Sequence, residues 1–196
     1  MNKRIILASN SPRRRELLEM IGLKFDIIAD NTPEPINRNK RPDEVVCELA
    51  EFKGRNVSKK LDNKDGAIII AADTVVAVDN EILGKPEDGQ DAMNMLLKLS
   101  GKMHHVYTGV YVFDTETERC VNFCEKTEVF FKKLDIDEIK DYINTEEPLD
   151  KAGAYGIQNL GSLFVEKING DYFNVVGLPL SGLGRVLKEE FDIKII

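Results

Sequence analysis

The sequence predicts a mixed α/β fold with a substantial antiparallel portion, and three observations predict it. Residues Ala67 to Val78 form a nearly continuous apolar run of the kind found in strands buried on both faces. Segments with helical periodicity and cap residues alternate with short apolar runs through the first half of the chain. In the second half, His105 to Asp114 and Cys120 to Leu134 are β-rich and separated by the turn-forming stretch Thr115 to Arg119, which predicts a long hairpin.

Taken in order, the first strand is expected at Arg4 to Ser9. Pro12 then suits the first turn of a helix that Ser11 can cap and Gly22 ends. Leu17, Leu18 and Ile21 share one face of that helix, and a short strand, Phe25 to Ile28, follows. Further helices are expected at Pro42 to Ser58, Gly89 to Leu99, Asp135 to Asn144 and Leu180 to Glu190. Strands are expected near Leu163 to Ile168 and Tyr172 to Val176.

With 196 residues, 42% of them hydrophobic, the chain can bury a proper core, and no repeat, low-complexity tract or linker divides it. A single domain over residues 1–196 is therefore expected. The 27 basic and 34 acidic residues give a net charge of −7, which disfavours stable nucleic-acid binding but leaves room for a small anion in one basic pocket. The opening apolar run is shorter than a signal-peptide core, and nothing approaches the length of a membrane span, so the expected location is cytoplasmic. Cys47, Cys120 and Cys124 lack C-x-x-C spacing and a nearby histidine, and are read as reduced thiols.

Several residues resist a purely structural account. Arg13, Arg14 and Arg15 stand at a predicted helix start, where the macrodipole disfavours cations unless an anion lies among them. Free N–H groups there, hydroxyls of Ser9 and Ser11, and the forks of Arg13 and Arg14 together suit a phosphate, although a solvated basic turn is the blander alternative. Lys53 interrupts the stripe Val46, Ala50, Val57 and either reaches solvent from the helix edge or points at an anion. Asp73 is the sharpest case. Burial of an unpaired carboxylate costs several kcal/mol, so inside the Ala67–Val78 run it needs a metal, a cation or solvent, unless the strand ends early and leaves it in a turn. Lys85, between Gly84 and Pro86, and the glycine-dense stretch from Asp150 and Lys151 to Gln158 would each let backbone approach a phosphate, though ordinary turns explain them equally well. His104 and His105 have no companion at ligand spacing and read as strand-entry residues, and P-loop, zinc-protease, serine-hydrolase and dinucleotide fingerprints are missing.

Six short motifs, in order, resemble the Maf family over nearly the whole chain. They are Ser9–Arg14, Ala72–Thr74, Leu83–Pro86, Thr108–Val110, Asp150–Gln158 and Asn174–Pro179. The resemblance implies a nucleoside-triphosphate pyrophosphatase, a family first associated with septum formation, with a twisted mixed sheet flanked by helices and two lobes around a cleft, similar to inosine-triphosphate pyrophosphatases. It also implies Mg²⁺ or Mn²⁺ as cofactor. Carried over position by position, Asp73 matches the catalytic acid, Arg13, Lys53 and Lys85 the substrate-binding cations, and Thr74 and Gln158 the positions that tune base choice. Ser9, Ser11, Arg14, Asp150 and Lys151 join the substrate-binding candidates.

Arg13, Thr74 and Gln158 together resemble the branch acting on dTTP and UTP rather than the 7-methyl-GTP branch, which typically carries Trp, Gln and Glu there. Asn159 departs from the glycine usual after the glutamine, and asparagine tolerates left-handed backbone angles. Asp73 is a candidate metal ligand, base or both, and Glu34 a second candidate ligand. A homodimer is compatible with the sequence. Two further functions stay open: cleavage of non-canonical purine triphosphates, and non-catalytic regulation of division.

Overall fold

The computed structural model describes residues 3–33, 40–61, 66–79 and 81–196. Among them are seven strands and six α-helices: β1 (Arg4–Leu7), α1 (Pro12–Met20), β2 (Asp26–Ile27), α2 (Pro42–Ser58), β3 (Ala67–Val78), β4 (Glu81–Leu83), α3 (Gly89–Leu99), β5 (Met103–Asp114), β6 (Cys120–Phe131), α4 (Ile136–Asn144), β7 (Val165–Asn169), α5 (Tyr172–Val176) and α6 (Leu180–Phe191). The strands form one mixed sheet in the order β2-β1-β3-β5-β6-β7, with β4 paired to β3. Parallel pairing joins β1 to β2 and β3, and antiparallel pairing joins β3 to β4 and β6 to β7.

By compactness the chain divides into two units. The first comprises residues 1–73, 108–125 and 177–196, and the second residues 74–107 and 126–176. Each has its own core. In the first unit Ile6, Ala50, Val57, Ile69 and Tyr111 are fully buried together. Helix α2 lies close against its strands, because a Cβ at Gly54 would meet the Tyr111 ring at 2.5 Å and one at Gly109 would meet the Val46 carbonyl oxygen at 2.3 Å. A larger residue at 109 has nowhere to go, because the atoms it would meet are backbone.

The second unit is more aromatic. Leu96, Leu99, Val129 and Ile139 pack with Phe131, Tyr142, Tyr155 and Phe164, whose rings meet edge to face, Phe131 against Tyr155 at 4.7 Å and Tyr142 against Phe164 at 4.9 Å. His104 sits within this cluster, fully buried, sharing a 2.8 Å hydrogen bond with the Tyr155 hydroxyl. Burial pushes its pKa down to about 3, so the ring is neutral.

Two expectations need correction. Tyr172–Val176 is a helix, because the Asp171 carboxylate accepts from the backbone N–H of Phe173 at 2.7 Å and of Asn174 at 3.4 Å, an aspartate cap that the apolar run concealed. Strand β4 was not anticipated, being only three residues long. Among the described residues no helix is long and apolar enough to cross a membrane.

Candidate functional site

The predicted site residues fall into two sets, one in each unit. Ser9, Ser11, Arg13, Arg14, Lys53 and Asp73 belong to the first, and Thr74, Lys85, Asp150, Lys151 and Gln158 to the second. Glu34 lies outside the described residues.

In the first unit, β3 continues through Asp73 to Val78, so the aspartate is not in a turn. Its demand for a partner is met by Lys53, whose Nζ donates to Oδ1 at 2.5 Å, with both side chains more than four-fifths buried. Helix α2 supplies that lysine from its sheet-facing stripe, and the neighbouring Gly54 permits the close approach. Lys53 thus engages Oδ1, and among the described residues Oδ2 is the oxygen left for a ligand.

The turn before α1 is organised around Ser9. Its hydroxyl oxygen accepts from the Ser11 backbone N–H at 3.2 Å and from Arg14 Nη1 at 3.3 Å. With both lone pairs engaged, the hydroxyl hydrogen is what Ser9 has left to offer an anion. Ser11 occupies the N-cap position of α1 without a side-chain cap bond, and Pro12 follows it as expected. The three arginines separate in role. Arg14 turns inward, buried, and its Nε donates to the Gly177 carbonyl at 2.9 Å, while Arg13 is half-buried on the first turn and Arg15 is exposed, 4.0 Å from Glu19. The anion that the cation cluster seemed to need is thus partly replaced by protein oxygen acceptors at Arg14.

In the second unit two motifs meet, since Gly153 N–H donates to the Gly84 carbonyl at 2.9 Å and so fastens the Lys85 loop to the glycine-dense stretch. Gly153 disfavours a side chain on two counts: its φ is +68° and a Cβ there would meet Val76 at 2.8 Å. Lys85 is exposed, Thr74 half-buried on β3 and Gln158 exposed. Lys151 is largely buried and donates to Asp150 and to the Glu147 carbonyl, each at 2.6 Å, which makes it a brace for the loop. Asn159 has φ −113°, so its tolerance of left-handed angles is not called upon, and the left-handed residues nearby are Gly153 and Ala154.

Sequence reasoning missed what four residues hold. Asn174 is fully buried and its amide donates to the Val106 carbonyl at 3.1 Å and to Thr127 Oγ1 at 3.0 Å. His104 holds Tyr155, and Tyr142 and Glu147 hold the residues around Gln158: Gly156 N–H donates to Tyr142 Oη at 3.2 Å, Tyr142 Oη donates to Glu147 Oε1 at 2.9 Å, and the N–H groups of Leu160 and Gly161 donate to the Glu147 carboxylate at 3.3 and 3.4 Å. A polar residue inside a motif, as Asn174 is, was the one sign available in the sequence.

Among the described residues no three His, Cys, Asp or Glu side chains gather into a metal cluster. Mg²⁺ commonly binds through only one or two carboxylates plus substrate phosphates, so the donor set centred on Asp73 fits such an ion arriving with a polyphosphate, and does not fit a resident multi-ligand cage.

A carboxylate and cations on rigid elements, a hydroxyl-lined helix start and glycine-rich backbone suit one class of protein, an α/β protein that handles a phosphorylated ligand. The chain belongs to the Maf family: the family described as Maf-like protein matches residues 4–190. It is 49% identical over 193 residues to the dTTP/UTP pyrophosphatase of Thermoanaerobacter sp. (strain X514), covering 98% of this chain and 100% of that one. Identity is 51% over 194 residues to the protein of that name from Alkaliphilus oremlandii (strain OhILAs), covering 99% and 100%. Among solved structures, the chain is similar to a nucleoside-triphosphatase / dITP/XTP pyrophosphatase from Mycobacterium abscessus, with a TM-score of 0.43 and 17% identity over 67% of this chain and 75% of that one.

Proposed function

We propose that this chain hydrolyses nucleoside triphosphates, dTTP and UTP foremost, to the monophosphate and pyrophosphate, as a cytoplasmic enzyme that clears the nucleotide pool. The observation that carries the proposal is Asp73, a carboxylate on a buried strand with Oδ1 held by Lys53 and Oδ2 left for chemistry. The names of relatives identical at about half of all positions support the same substrates.

In this reading Asp73 orients the water that attacks the α-phosphorus, and Lys53 fixes the carboxylate's direction. Asp73, with Glu34 as a second candidate ligand, would hold a Mg²⁺ or Mn²⁺ ion, which would supply charge neutralisation on the triphosphate and a more acidic water. Ser9 donates its hydroxyl hydrogen to a phosphate oxygen, Ser11 adds a second hydroxyl, and Arg13 and Lys85 offset the charge of the leaving pyrophosphate. Arg14, Asp150 and Lys151 act on substrate through the turn and loop they brace. Gln158 presents an amide that both donates and accepts, matching the O4 and N3–H edge of uracil or thymine, and Thr74 completes the base preference.

Pyrophosphate release from a nucleotide panel with Mn²⁺ or Mg²⁺ tests this. The expected result is turnover of dTTP and UTP above other nucleotides, abolished by EDTA. Release of orthophosphate would mean that a different bond is cut, and no turnover of any nucleotide would leave a binding protein instead.

A further inference from the structure

Residues 156–161 form a closed loop with a narrow neck. Gly156 and Gly161 lie back to back, so closely that a Cβ at Gly161 would stand 2.6 Å from the Gly156 carbonyl oxygen and 2.8 Å from Tyr142 Oη. Gln158 sits beyond this neck, exposed. Two side chains from outside the loop fasten it. Tyr142, at the buried end of α4, accepts from Gly156 N–H and donates to Glu147, and burial keeps its phenol protonated by raising its pKa. Glu147, in a short 3₁₀ turn, takes the opposite side of the neck, one oxygen toward Leu160 N–H and the other toward Gly161 N–H.

We infer that Glu147, relayed by Tyr142, is a positioning residue for base selection: its carboxylate sets the neck of the loop and thereby the place from which Gln158 meets the base. The inference rests on the proposed base-reading role of Gln158. Three donors converge on this carboxylate, the Tyr142 hydroxyl at 2.9 Å and the Leu160 and Gly161 N–H groups at 3.3 and 3.4 Å, so both of its oxygens are used. A glutamine at 147 has the same shape but only one acceptor oxygen, and its NH₂ would face an N–H group, so it cannot hold both sides. Neither residue is placed to touch the reacting phosphate in the proposed mechanism, so the loss should fall on recognition of the base.

The experiment compares pyrophosphate release from dTTP, UTP, dCTP and ATP by the wild type, Glu147→Gln, Tyr142→Phe and Gln158→Glu, with hydrogen exchange read at the Leu160 and Gly161 amides. Glu147→Gln is expected to raise KM for dTTP and UTP about tenfold while kcat stays within about threefold, as loss of one charged hydrogen bond predicts. Its preference for dTTP over dCTP should shrink toward that of Gln158→Glu, and both amides should exchange faster. Tyr142→Phe should move the same way by a smaller factor, and it carries the test alone if Glu147→Gln does not fold. An unchanged dTTP/dCTP preference despite faster exchange overturns the inference and leaves the proposed function standing. A common fall for all four nucleotides also overturns it, by making Glu147 a general scaffold residue. If Gln158→Glu itself keeps the wild-type preference, the base-reading role has failed, and the inference falls with it for that separate reason.

Discussion

The two compact units present their polar groups in opposite ways. In the first, Asp73 and Lys53 stand on the middle of a long strand and a seventeen-residue helix, brought together by glycines that let the backbone approach closely. In the second, Lys85 and Gln158 stand on loops, the first fastened by the backbone bond from Gly153 to Gly84 and the second by backbone-to-side-chain hydrogen bonds to Tyr142 and Glu147. Regular elements fix a group through packing that tolerates no slack, whereas a braced loop fixes it through a few polar contacts that can be lost one at a time. A group on the first kind of support is held in one place, and one on the second can be shifted by changing the residues that brace it.

The largest test of this contrast is Asp73→Asn, which keeps the shape of a fixed group and removes its charge. Turnover is expected to fall by at least about 10²-fold for every nucleotide alike, the low end for removing a positioned acid–base group. The melting temperature should be recorded beside it, since a folded variant with near wild-type turnover at saturating metal would remove Asp73 from the chemistry.

Packing comes next. Gly109→Ala should cost about 3 kcal/mol in denaturant unfolding, because the new methyl would have to displace backbone at Val46. Gly153→Ala should cost less, about 2 kcal/mol: its φ of +68° is strained for alanine, but the atoms in the way belong to the Val76 side chain and the surrounding loop can shift. Equal losses at the two positions would erase the distinction between rigid and braced supports.

The smallest effect is one of pH. Folded His104 titrates at about 3 against an ordinary 6.5, so between these values only the unfolded chain takes up the proton. Its contribution to stability is complete above about pH 6.5 and is lost as pH falls toward 3, at roughly 1 kcal/mol per pH unit where the slope is steepest. Unfolding midpoints measured at pH 7 and pH 5 should therefore differ less in His104→Gln than in the wild type. An identical pH dependence would show that the aromatic cluster of the second unit does not exclude the charged ring.

Much of the fold was legible because its signals are local. The apolar run of β3, the Pro12 start of α1 and the turn stretch Thr115 to Arg119 between β5 and β6 all act within a few residues. Asp73 stood out in the sequence for the same reason, as a charge inside an apolar run, and Lys53 as a charge on an apolar stripe. What could not be read was who answers whom. The Asp73–Lys53 pair spans twenty residues, and the bond of Asn174 to Val106 spans sixty-eight. The partner of Arg14 could not be read either: three arginines at a helix start look alike in sequence, and only the distant Gly177 carbonyl separates the buried one from its neighbours. Tyr172–Val176 misled in the other direction, its apolar composition outweighing a single aspartate before it.

The bond from Arg14 to Gly177 also has a consequence in time. The two residues are 163 positions apart, and the first unit is made of three stretches of chain, the last of which begins at Gly177. A ribosome adding roughly 5–20 residues per second needs about 10 to 30 seconds to travel from one to the other. Throughout that interval the Gly177 carbonyl that Arg14 meets in the fold has not been made, and the second unit gains its own last segment only as residue 176 is added. The amino-terminal portion, though synthesised first, closes only after every segment of the second unit has been made.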